Sequence, residues 1–396
     1  MKQKTILITG ATGFLGSYIA GELLKHGLCL KLMARNKVNI NAKEGLCGML
    51  PSVETASTYS NRIEIVEGDI AEHCLGIDSA EYYLLADTID EVFHCAAATK
   101  FNDEGDILKR TNVFGTRHVV EFCNTGKSKR LHHISTAYVA GRRKGIVFEN
   151  ELDTGQSFNN TYEKSKCDAE KVLFELTPQN RNLCTIYRPS IIIGDTITGY
   201  TKNYDNMYVF GRGLCRLKKY EIRNKGDTEM VKRNSNLLPV SLRIQGDRYG
   251  TINLVPVDYV ARAIVAISQE QKSEGKTFHI VNPSPPTLGE LSEWMKAATG
   301  IHSMRIVSQD EWKRQPLSFQ EKLFLQGTES FQPYMFGEPY FDCTNTTNFL
   351  RGSGIMCPMI TEDLIRLFIQ HALCTNWGKA KIFVTANAQK KYPYFD

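Results

Sequence analysis

A tyrosine and a lysine four residues apart, Tyr162 and Lys166, lie in a segment whose apolar spacing predicts a helix over Thr161–Leu176. A step of four residues places both side chains on one face of such a helix. An ammonium group beside a phenol favours the phenolate, so we expect Lys166 to lower the pKa of Tyr162 toward working pH. The pair could then exchange a proton with a reacting oxygen. The plainer interpretation is a surface tyrosine near a lysine.

A glycine-rich loop follows an apolar strand predicted over Lys4–Thr9 and opens a helix predicted over Leu15–His26. In this context Gly10 allows a tight turn, Gly13 lets the backbone approach a pyrophosphate, and Gly16 lets the helix pack on the strand. The start of the helix directs its free N–H groups at the phosphates. The sequence therefore predicts a dinucleotide cofactor, with a binding loop that contains Gly10, Thr12, Gly13, Phe14, Leu15 and Gly16.

The choice between the two nicotinamide cofactors is made where the second predicted strand, Cys29–Ala34, ends. An acidic residue there binds the ribose 2′-hydroxyl of NAD, whereas an arginine suits the 2′-phosphate of NADP. The chain has Arg35 at this position, about 20 residues beyond the glycine loop. NADP(H) is therefore the predicted cofactor, and Lys37 is a candidate second contact. The plainer interpretation of Arg35 is an ordinary surface arginine.

The elements that position these residues alternate between strand and helix through the first 195 residues. Further strands are predicted over Arg62–Val66, Glu91–Cys95, Arg130–Ser135 and Asn182–Arg188, and a further helix over Glu104–Cys123. Such alternation indicates an α/β fold, a doubly wound parallel sheet covered by helices on both faces.

The pattern changes after Gly194. Residues 196–250 are rich in Gly, Lys, Arg and Asn, and their periodicity is weak. Beyond them, strands are predicted over Thr251–Val255, Thr277–Val281 and Met304–Val307, and helices over Pro256–Ser268, Thr287–Thr299, 309–325 and Thr361–Cys374. We predict an NADP-binding Rossmann domain over 1–195 and a smaller, partly helical substrate lobe over 196–396, with 251–283 returning to the Rossmann sheet. Ligands of such folds bind at the carboxyl edge of the sheet.

The composition is that of a globular protein, with 42% hydrophobic and 23% charged residues among 396. No stretch approaches the roughly 18 to 20 apolar residues of a membrane helix, so no integral membrane segment is predicted. No signal peptide is expected, because Met1–Lys4 run directly into the first strand. The net charge of +5 is too small to indicate a nucleic-acid partner.

Eleven cysteines are scattered through the predicted strands and helices, and no two of them form a CxxC pair. An odd number of dispersed thiols indicates a reducing compartment, so a cytoplasmic location is expected. The adjacent His132 and His133 of a predicted strand point to opposite faces and are interpreted as one core and one surface residue. No metal site is predicted.

The charge is unevenly distributed along the chain. Residues 201–250 contain eleven Lys and Arg but five Asp and Glu, a surplus of six that exceeds the net charge of the whole chain. The plainer interpretation is a solvated surface. The alternative is a landing site for an acidic partner, such as a phosphate-bearing substrate or an acidic carrier protein.

The GxxGxxG spacing of the glycine loop, the YxxxK pair and the segment Ile134–Gly141 together resemble the extended short-chain dehydrogenase/reductases. In that superfamily a serine or threonine of this segment joins the tyrosine and lysine in catalysis. When Gly141 is aligned with the glycine that closes this segment in the family, the resemblance implies a triad of Thr136, Tyr162 and Lys166. Ser135 is the alternative to Thr136 as the catalytic hydroxyl.

Four further segments occur in the order expected for that superfamily. The resemblance implies that Asp69 and Ile70, after the third strand, lie near the adenine. It implies that the small Ala96 and Ala97, after the fourth strand, let the cofactor lie close. Asn112 belongs to an NxxGT segment, whose asparagine stabilises the active-site helix or takes part in a proton relay. Pro189 ends the sixth strand in an RP segment beside the nicotinamide.

Three segments are similar to the thioester reductases and fatty acyl-CoA reductases of the male-sterility NAD-binding family: His94–Phe101, Asn253–Ala261 and Lys276–Pro283. This resemblance implies an NADPH-dependent oxidoreductase of secondary metabolism. It would reduce an acyl thioester on a carrier protein or CoA to an aldehyde, and in some members on to an alcohol. The basic segment would suit a phosphopantetheine arm or an acidic carrier. Because the chain starts at its first Rossmann strand, we expect it to act on a partner in trans.

Other functions fit parts of the pattern. The same triad serves NADP-dependent ketone reductases and secondary alcohol dehydrogenases, which remain the alternative. Nucleotide-sugar epimerases usually need an acidic residue where this chain has Arg35, and NADP-sensing proteins commonly lose YxxxK. The segment Phe341–Thr346 faintly resembles a late segment of the reductases, and its plainer role is packing. The sequence leaves the acyl chain and the oligomeric state open.

Overall fold

The computed structural model describes residues 3–35, 59–99, 106–127, 129–176, 183–224, 242–301 and 303–379. Lys37 and the middle of the basic segment lie outside these residues. The described strands are β1 (Thr5–Thr9), β2 (Cys29–Ala34), β3 (Ile63–Glu67), β4 (Glu91–His94), β5 (Arg130–Ile134), β6 (Ile146–Val147), β7 (Cys184–Pro189), β8 (Ile191–Ile193), β9 (Leu242–Gln245), β10 (Leu254–Pro256), β11 (Thr277–Ile280), β12 (Met304–Val307) and β13 (Tyr340–Phe341).

The α-helices described in the same ranges are α1 (Phe14–Lys25), α2 (Ser79–Thr88), α3 (Gly115–Asn124), α4 (Thr161–Leu176), α5 (Met207–Asn224), α6 (Val257–Ser268), α7 (Leu288–Thr299), α8 (Gln309–Lys313), α9 (Phe319–Thr328), α10 (Thr344–Leu350) and α11 (Glu362–Cys374). A π-helical stretch, Lys109–Phe114, leads directly into α3. The described part of the predicted helix Glu104–Cys123 is therefore wound more loosely in its first half.

Seven of the described strands form one parallel sheet, in the order β3-β2-β1-β4-β5-β7-β11. The chain winds outward from β1 to β3 and then returns to β4 on the other side of β1, where Ile6 pairs with both Leu30 and Glu91. The loops after β1 and β4 therefore diverge and leave a crevice at the carboxyl ends of the strands. The predicted doubly wound α/β fold is confirmed.

Both faces of the sheet are covered, because helices pack on each side of its apolar strands. This explains why the interpretation of the paired histidines is wrong. His132 and His133 are both fully buried, the first beside Glu91 and Tyr187 at 3.0 and 3.1 Å. The ten cysteines of the described residues are free thiols.

The second half of the chain builds a lobe on the carboxyl edge of the sheet. Its core joins α5, α7 and α11 to a two-stranded parallel sheet, β9–β12. The strand β11 extends the main sheet beside β7. The boundary between the two predicted domains, at residues 195 and 196, stays a prediction.

One helix of this lobe was not predicted, and one predicted helix is wrong. The described part of residues 196–250 contains α5, an 18-residue helix that the weak periodicity did not indicate. The stretch 309–325 holds two helices rather than one, α8 and the start of α9, and Pro316 lies between them. Among the described helices, none combines the length and the apolar character of a membrane span.

Candidate active site

A cavity of about 680 Å³ opens at the carboxyl edge of the sheet, between the glycine loop and the second lobe. Residues of both halves of the chain line it. From the first half come the glycine loop together with Thr136, Tyr162, Lys166 and Pro189. The sequence-predicted triad and much of the predicted cofactor loop therefore face one enclosed space. This is the size at which proteins bind small molecules.

The glycine loop has the close packing that a phosphate-binding turn requires. Gly10 has a positive φ of 72°, and a Cβ atom there would lie 2.5 Å from the backbone nitrogen of Ala96. A Cβ at Gly16 would lie 2.2 Å from the carbonyl oxygen of Gly10. Gly13 precedes α1, and no side chain caps that helix start. Its N–H groups are therefore directed at the crevice, where they fit the pyrophosphate of a dinucleotide.

Thr136 and Ser135 follow β5 directly, but their hydroxyls have different partners. The Thr136 hydroxyl donates to the carbonyl oxygen of Pro189 at the long distance of 3.4 Å and accepts the N–H of Tyr138 at 3.3 Å. The Ser135 hydroxyl donates to the carboxylate of Glu170. Thr136 therefore has the hydroxyl better placed to turn toward a ligand in the cavity.

Lys166 is buried, and its ammonium donates to the carbonyl oxygen of Ile134 at 2.8 Å. Burial lowers the pKa of Lys166 to about 8, against the opposing influence of Glu170. Burial raises the pKa of Tyr162 to about 12, and the charge of Glu163 acts in the same direction. The expected lowering of the tyrosine pKa is therefore wrong, because burial of the phenol and the charge of Glu163 both raise it. The Tyr162 phenol therefore stays protonated at ordinary pH.

Asn112 holds two parts of the site together. Its Oδ1 accepts the N–H of Ala98 at 2.8 Å, while its Nδ2 donates to the carbonyl oxygen of Ala98 at 3.0 Å and to Oγ of Ser165 at 2.8 Å. The Ser165 hydroxyl donates in turn to the carbonyl oxygen of Tyr162 at 2.8 Å. Asn112 does not line the cavity. These contacts favour a positioning role, the first of its two predicted roles, which stays a prediction.

Of the remaining predicted cofactor residues, Ala97 lines the cavity. Five others do not line it: Thr12, Arg35, Asp69, Ile70 and Ala96. Arg35 is exposed where β2 ends. Ile70 packs closely on Gly115, so it braces the start of α3. The carbonyl oxygen of Thr12 accepts a hydrogen bond from Lys202 of the second lobe. The roles of these five residues at the cofactor stay predictions.

Two tyrosines of the cavity were not singled out from the sequence. Tyr334 donates to Glu163 at 2.5 Å, and Tyr138 donates to Glu338 at 2.6 Å. Their rings meet edge to face, with centroids 5.6 Å apart. Each bond joins segments at least 170 positions apart along the chain, so no local pattern could have indicated it.

The order of the motifs and the geometry of the site agree with the comparisons with known proteins. The model of the male sterility protein family matches residues 8–264, more than half of the chain. The chain belongs to that family, within the extended short-chain dehydrogenase/reductases, and it is an oxidoreductase with an NAD-binding domain.

Relatives include one of the subunits of the linear gramicidin synthase of Brevibacillus parabrevis, which is 26% identical over 382 residues. That match covers 90% of this chain and 7% of the relative. The carboxylic acid reductase of Mycobacterium tuberculosis is 25% identical over 344 residues, which cover 78% of this chain and 27% of the relative. The chain thus spans a small part of these larger proteins.

Solved structures share the whole architecture. The terminal R domain from the myxalamid PKS-NRPS biosynthetic pathway has a TM-score of 0.75 and 27% identity, and the match covers 96% of this chain and 93% of that one. A thiolation-reductase di-domain from an archaeal non-ribosomal peptide synthetase has a TM-score of 0.73 at 20% identity, covering 95% of this chain and 76% of that one. The latter likeness concerns the fold alone.

Proposed function

We propose that the protein reduces an acyl thioester to an aldehyde with NADPH, by means of Thr136, Tyr162 and Lys166. The observation that carries this proposal is the cavity that brings together the glycine loop, the three triad residues and residues of the second lobe. The similarity to the R domain of the myxalamid pathway, which extends over both lobes, supports a thioester as the substrate.

The chemistry divides simply among the residues. When bound, NADPH supplies the hydride that the thioester carbonyl carbon receives. Tyr162 gives its proton to the developing oxyanion, since its raised pKa keeps it protonated. Thr136 donates a hydrogen bond to the same oxygen, and such a donor is worth about 3 kcal/mol. Lys166 donates to the carbonyl oxygen of Ile134 at the end of β5, and its place four residues after Tyr162 puts both residues on one face of α4. Loss of the thiol from the resulting thiohemiacetal leaves the aldehyde.

The first test is NADPH oxidation by the purified protein with three panels: acyl-pantetheine or acyl-CoA thioesters, aldehydes, and ketones. We expect oxidation that depends on thioester and releases free thiol. Tyr162→Phe removes the proton donor and lowers kcat by about 100-fold or more. Tyr249→Phe is the matched control, because Tyr249 is 78% exposed and lies outside the cavity.

Turnover of ketones without any thioester reduction would overturn the proposal and leave the alternative, an NADP-dependent ketone reductase. Turnover of thioesters in both the wild type and Tyr162→Phe would instead remove the tyrosine from its proposed role. Further reduction of the aldehyde panel would extend the product to an alcohol.

NADP(H) is the proposed cofactor because of Arg35. A charge-assisted hydrogen bond is worth about 1.5 to 3 kcal/mol, or about 10- to 150-fold in binding. Arg35→Ala should weaken NADPH binding by that factor while NADH binding changes little, as measured by isothermal titration. Arg305→Ala is the control, since Arg305 is an exposed arginine of β12. Equal loss for both cofactors would contradict the assignment.

The described part of the basic segment supports a carrier protein as the partner. Helix α5 carries Arg212, Arg216, Lys219 and Arg223 at spacings of four, three and four residues, which places them on one face. Arg216, Lys219 and Arg223 are exposed. We propose that this face receives an acidic carrier, so that its arm reaches the cavity beside α5.

Reversing the charge of the basic face of α5 tests whether the acyl group is delivered by a carrier protein or by CoA. Arg216→Glu with Arg223→Glu should raise KM for a carrier-bound thioester about 10-fold or more, with little change for the same acyl group on free pantetheine. Arg305→Glu with Arg366→Glu is the control for added negative charge. An equal effect of both double variants would leave no role for the α5 face. The cytoplasmic location stays a prediction.

A further inference from the structure

The cavity extends beyond the triad into the second lobe. This apolar limb is the part of the cavity enclosed by α5, α7 and the β9–β12 pair. We propose that the apolar limb binds the acyl chain of the substrate, and that the preferred chain is a medium or long aliphatic one rather than a short, polar or charged one. The inference rests on the proposed function, whose substrate class it narrows.

One wall of the limb is the inner face of α5. Met207, Phe210 and Leu214 all line the cavity. Their spacing of three and four residues places them on one side of the helix, opposite the face that carries the exposed basic residues. The same helix thus presents charge to the solvent and an apolar surface to the cavity.

The second wall is α7, which repeats this arrangement. Leu288, Leu291 and Met295 line the cavity at spacings of three and four residues. All three are buried. Ser292 lies on the same face and contributes one hydroxyl to an otherwise apolar wall.

The floor comes from the two-stranded sheet. Ile244 of β9 pairs with Ile306 of β12, and both line the cavity. Met304 lies two residues before Ile306, so its side chain points to the same face of the sheet. Residues from two helices and two strands therefore surround one apolar space.

None of the charged residues that line the cavity, within the part of the chain that the structure describes, belongs to α5, α7 or the β9–β12 pair. Among the described residues they are Glu163, Lys166, Lys202 and Asp205. Glu163 and Lys166 belong to α4, and Lys202 and Asp205 are exposed. A charged or strongly polar acyl group in the limb would lose its hydration without gaining a charged partner from the described walls, which is costly.

Methionine is concentrated around the limb. Of the seven methionines in the described residues, four line the cavity: Met207, Met295, Met304 and Met335. Their flexible, polarisable side chains adapt to apolar surfaces of different shape. This favours a series of related aliphatic chains over one rigid ring system.

The test uses straight-chain acyl-pantetheine thioesters of increasing length with saturating NADPH. Burying one methylene is worth about 0.8 kcal/mol, so kcat/KM should rise about 3- to 4-fold with each carbon until the limb is filled. A flat profile, or a preference for a carboxylated or aminated acyl group of equal length, would overturn the inference.

A binding measurement separates this inference from the proposed function. S-alkyl pantetheine thioethers carry the chain without a reducible carbonyl, and their affinity should rise with chain length in thermal-shift assays. If no thioester of any length is reduced, the proposed function fails, while the thioether series still tests the limb. If thioesters are reduced and neither series depends on length, the limb assignment alone fails.

Met295→Trp tests the location of the site by adding bulk to the wall of α7. The ratio of kcat/KM between the longest and the shortest chains should fall about 10-fold or more, and thioether binding should lose its dependence on length. Met359→Trp is the matched control, because Met359 is 76% exposed and lies off the cavity. Leu291→Phe is a milder second variant if Met295→Trp does not fold. An unchanged ratio in a folded variant would place the chain elsewhere.

Discussion

Two adjacent hydroxyls show how the fold separates roles at the scale of single residues. Ser135 donates to Glu170, whose carboxylate also holds the guanidinium of Arg188 through contacts of 3.0 and 2.7 Å. All three side chains are buried. Thr136 has a single long donor contact, to a carbonyl oxygen. Both residues line the cavity, but the serine belongs to a buried ion-pair cluster, so we propose the threonine as the catalytic hydroxyl.

Removing the Thr136 hydroxyl should therefore affect the reaction rate, and removing the Ser135 hydroxyl should affect stability. Thr136→Val should lower kcat for thioester reduction by about 100- to 1,000-fold with little change in stability. Ser135→Ala should cost about 1.5 to 3 kcal/mol of unfolding free energy, because it removes a hydrogen bond to a buried carboxylate. Steady-state kinetics and urea unfolding of both variants provide the measurement. Loss of rate in Ser135→Ala, with Thr136→Val active, would exchange the two assignments.

The pKa of Lys166 predicts a pH profile. Burial lowers it to about 8, while the pKa of Tyr162 is raised to about 12. The cation at Lys166 is therefore present below pH 8 and lost above it, whereas Tyr162 stays protonated throughout. We expect kcat/KM for reduction to be level below about pH 7 and to fall above pH 8.

Lys166→Arg provides the control for that profile, because an arginine keeps its charge at high pH. In any activity that the variant retains, the fall above pH 8 should be absent. A fall at the same pH in both proteins would show that another group titrates.

At the scale of the elements, the turn between β1 and α1 depends on the absence of a side chain at Gly16. A Cβ there would lie 2.2 Å from the carbonyl oxygen of Gly10, a contact that only a backbone shift can relieve. Gly16→Ala should therefore weaken NADPH binding about 10-fold or more and lower the melting temperature. Calorimetric titration and thermal unfolding measure the two effects.

Gly327 offers a matched control. It lies inside α9, and a Cβ there would meet nothing within 4 Å. Gly327→Ala should stabilise the protein by about 0.5 to 1 kcal/mol, because it lowers the entropy of the unfolded chain, and cofactor binding should stay unchanged. A Gly16→Ala protein that binds NADPH normally would exclude a tight phosphate turn at this loop.

The sequence predicted the elements whose signal is local. The helix Thr161–Leu176 has its predicted bounds, and the glycine loop follows its strand as expected. Helix α5 was missed although Met207, Phe210 and Leu214 have helical spacing, because glycines and basic residues dilute the apolar pattern. The pairing of β9 with β12 joins residues about 60 positions apart and could not be read from either segment alone.

The same distinction applies to the site. The glycine loop, Tyr162 and Lys166 belong to short motifs, so their spacing revealed them. The bond from Tyr334 to Glu163 and the walls of the apolar limb depend on how the second lobe packs on the first. The pKa of Tyr162 differed from expectation for a related reason, since its burial is a property of the folded molecule and not of the motif.

At the scale of the whole molecule, a buried carboxylate joins three distant parts of the chain. Glu149, which follows β6, accepts the N–H of His279 at 2.9 Å and the N–H of Asn345 at 2.6 Å. The hydroxyl of Thr346 donates to it at 3.3 Å. This explains the segment Phe341–Thr346, whose role is packing: it closes over the edge strand β11.

The buried carboxyl group of Glu149 should make the stability of the protein depend on pH. Burial raises the pKa of Glu149 to about 7, although its hydrogen bonds oppose the rise. In the unfolded chain a glutamate has a pKa of about 4.3. Between these values the folded protein holds a proton that the unfolded chain has released. The unfolding free energy should therefore decrease as pH rises from about 4.5 to 7, by about 3 kcal/mol in total, and stay level above pH 7.

Glu149→Gln isolates this contribution, because the amide oxygen can still accept N–H bonds but carries no charge. The difference in unfolding free energy between the wild type and Glu149→Gln, measured by urea denaturation at several pH values, should favour the variant increasingly from pH 5 to 7. Glu64→Gln, which changes a carboxylate that is 62% exposed, should show no such trend. A difference that is constant with pH would mean that the hydrogen bonds outweigh burial, so that Glu149 is charged in the folded protein and its charge stabilises the contact between the lobes.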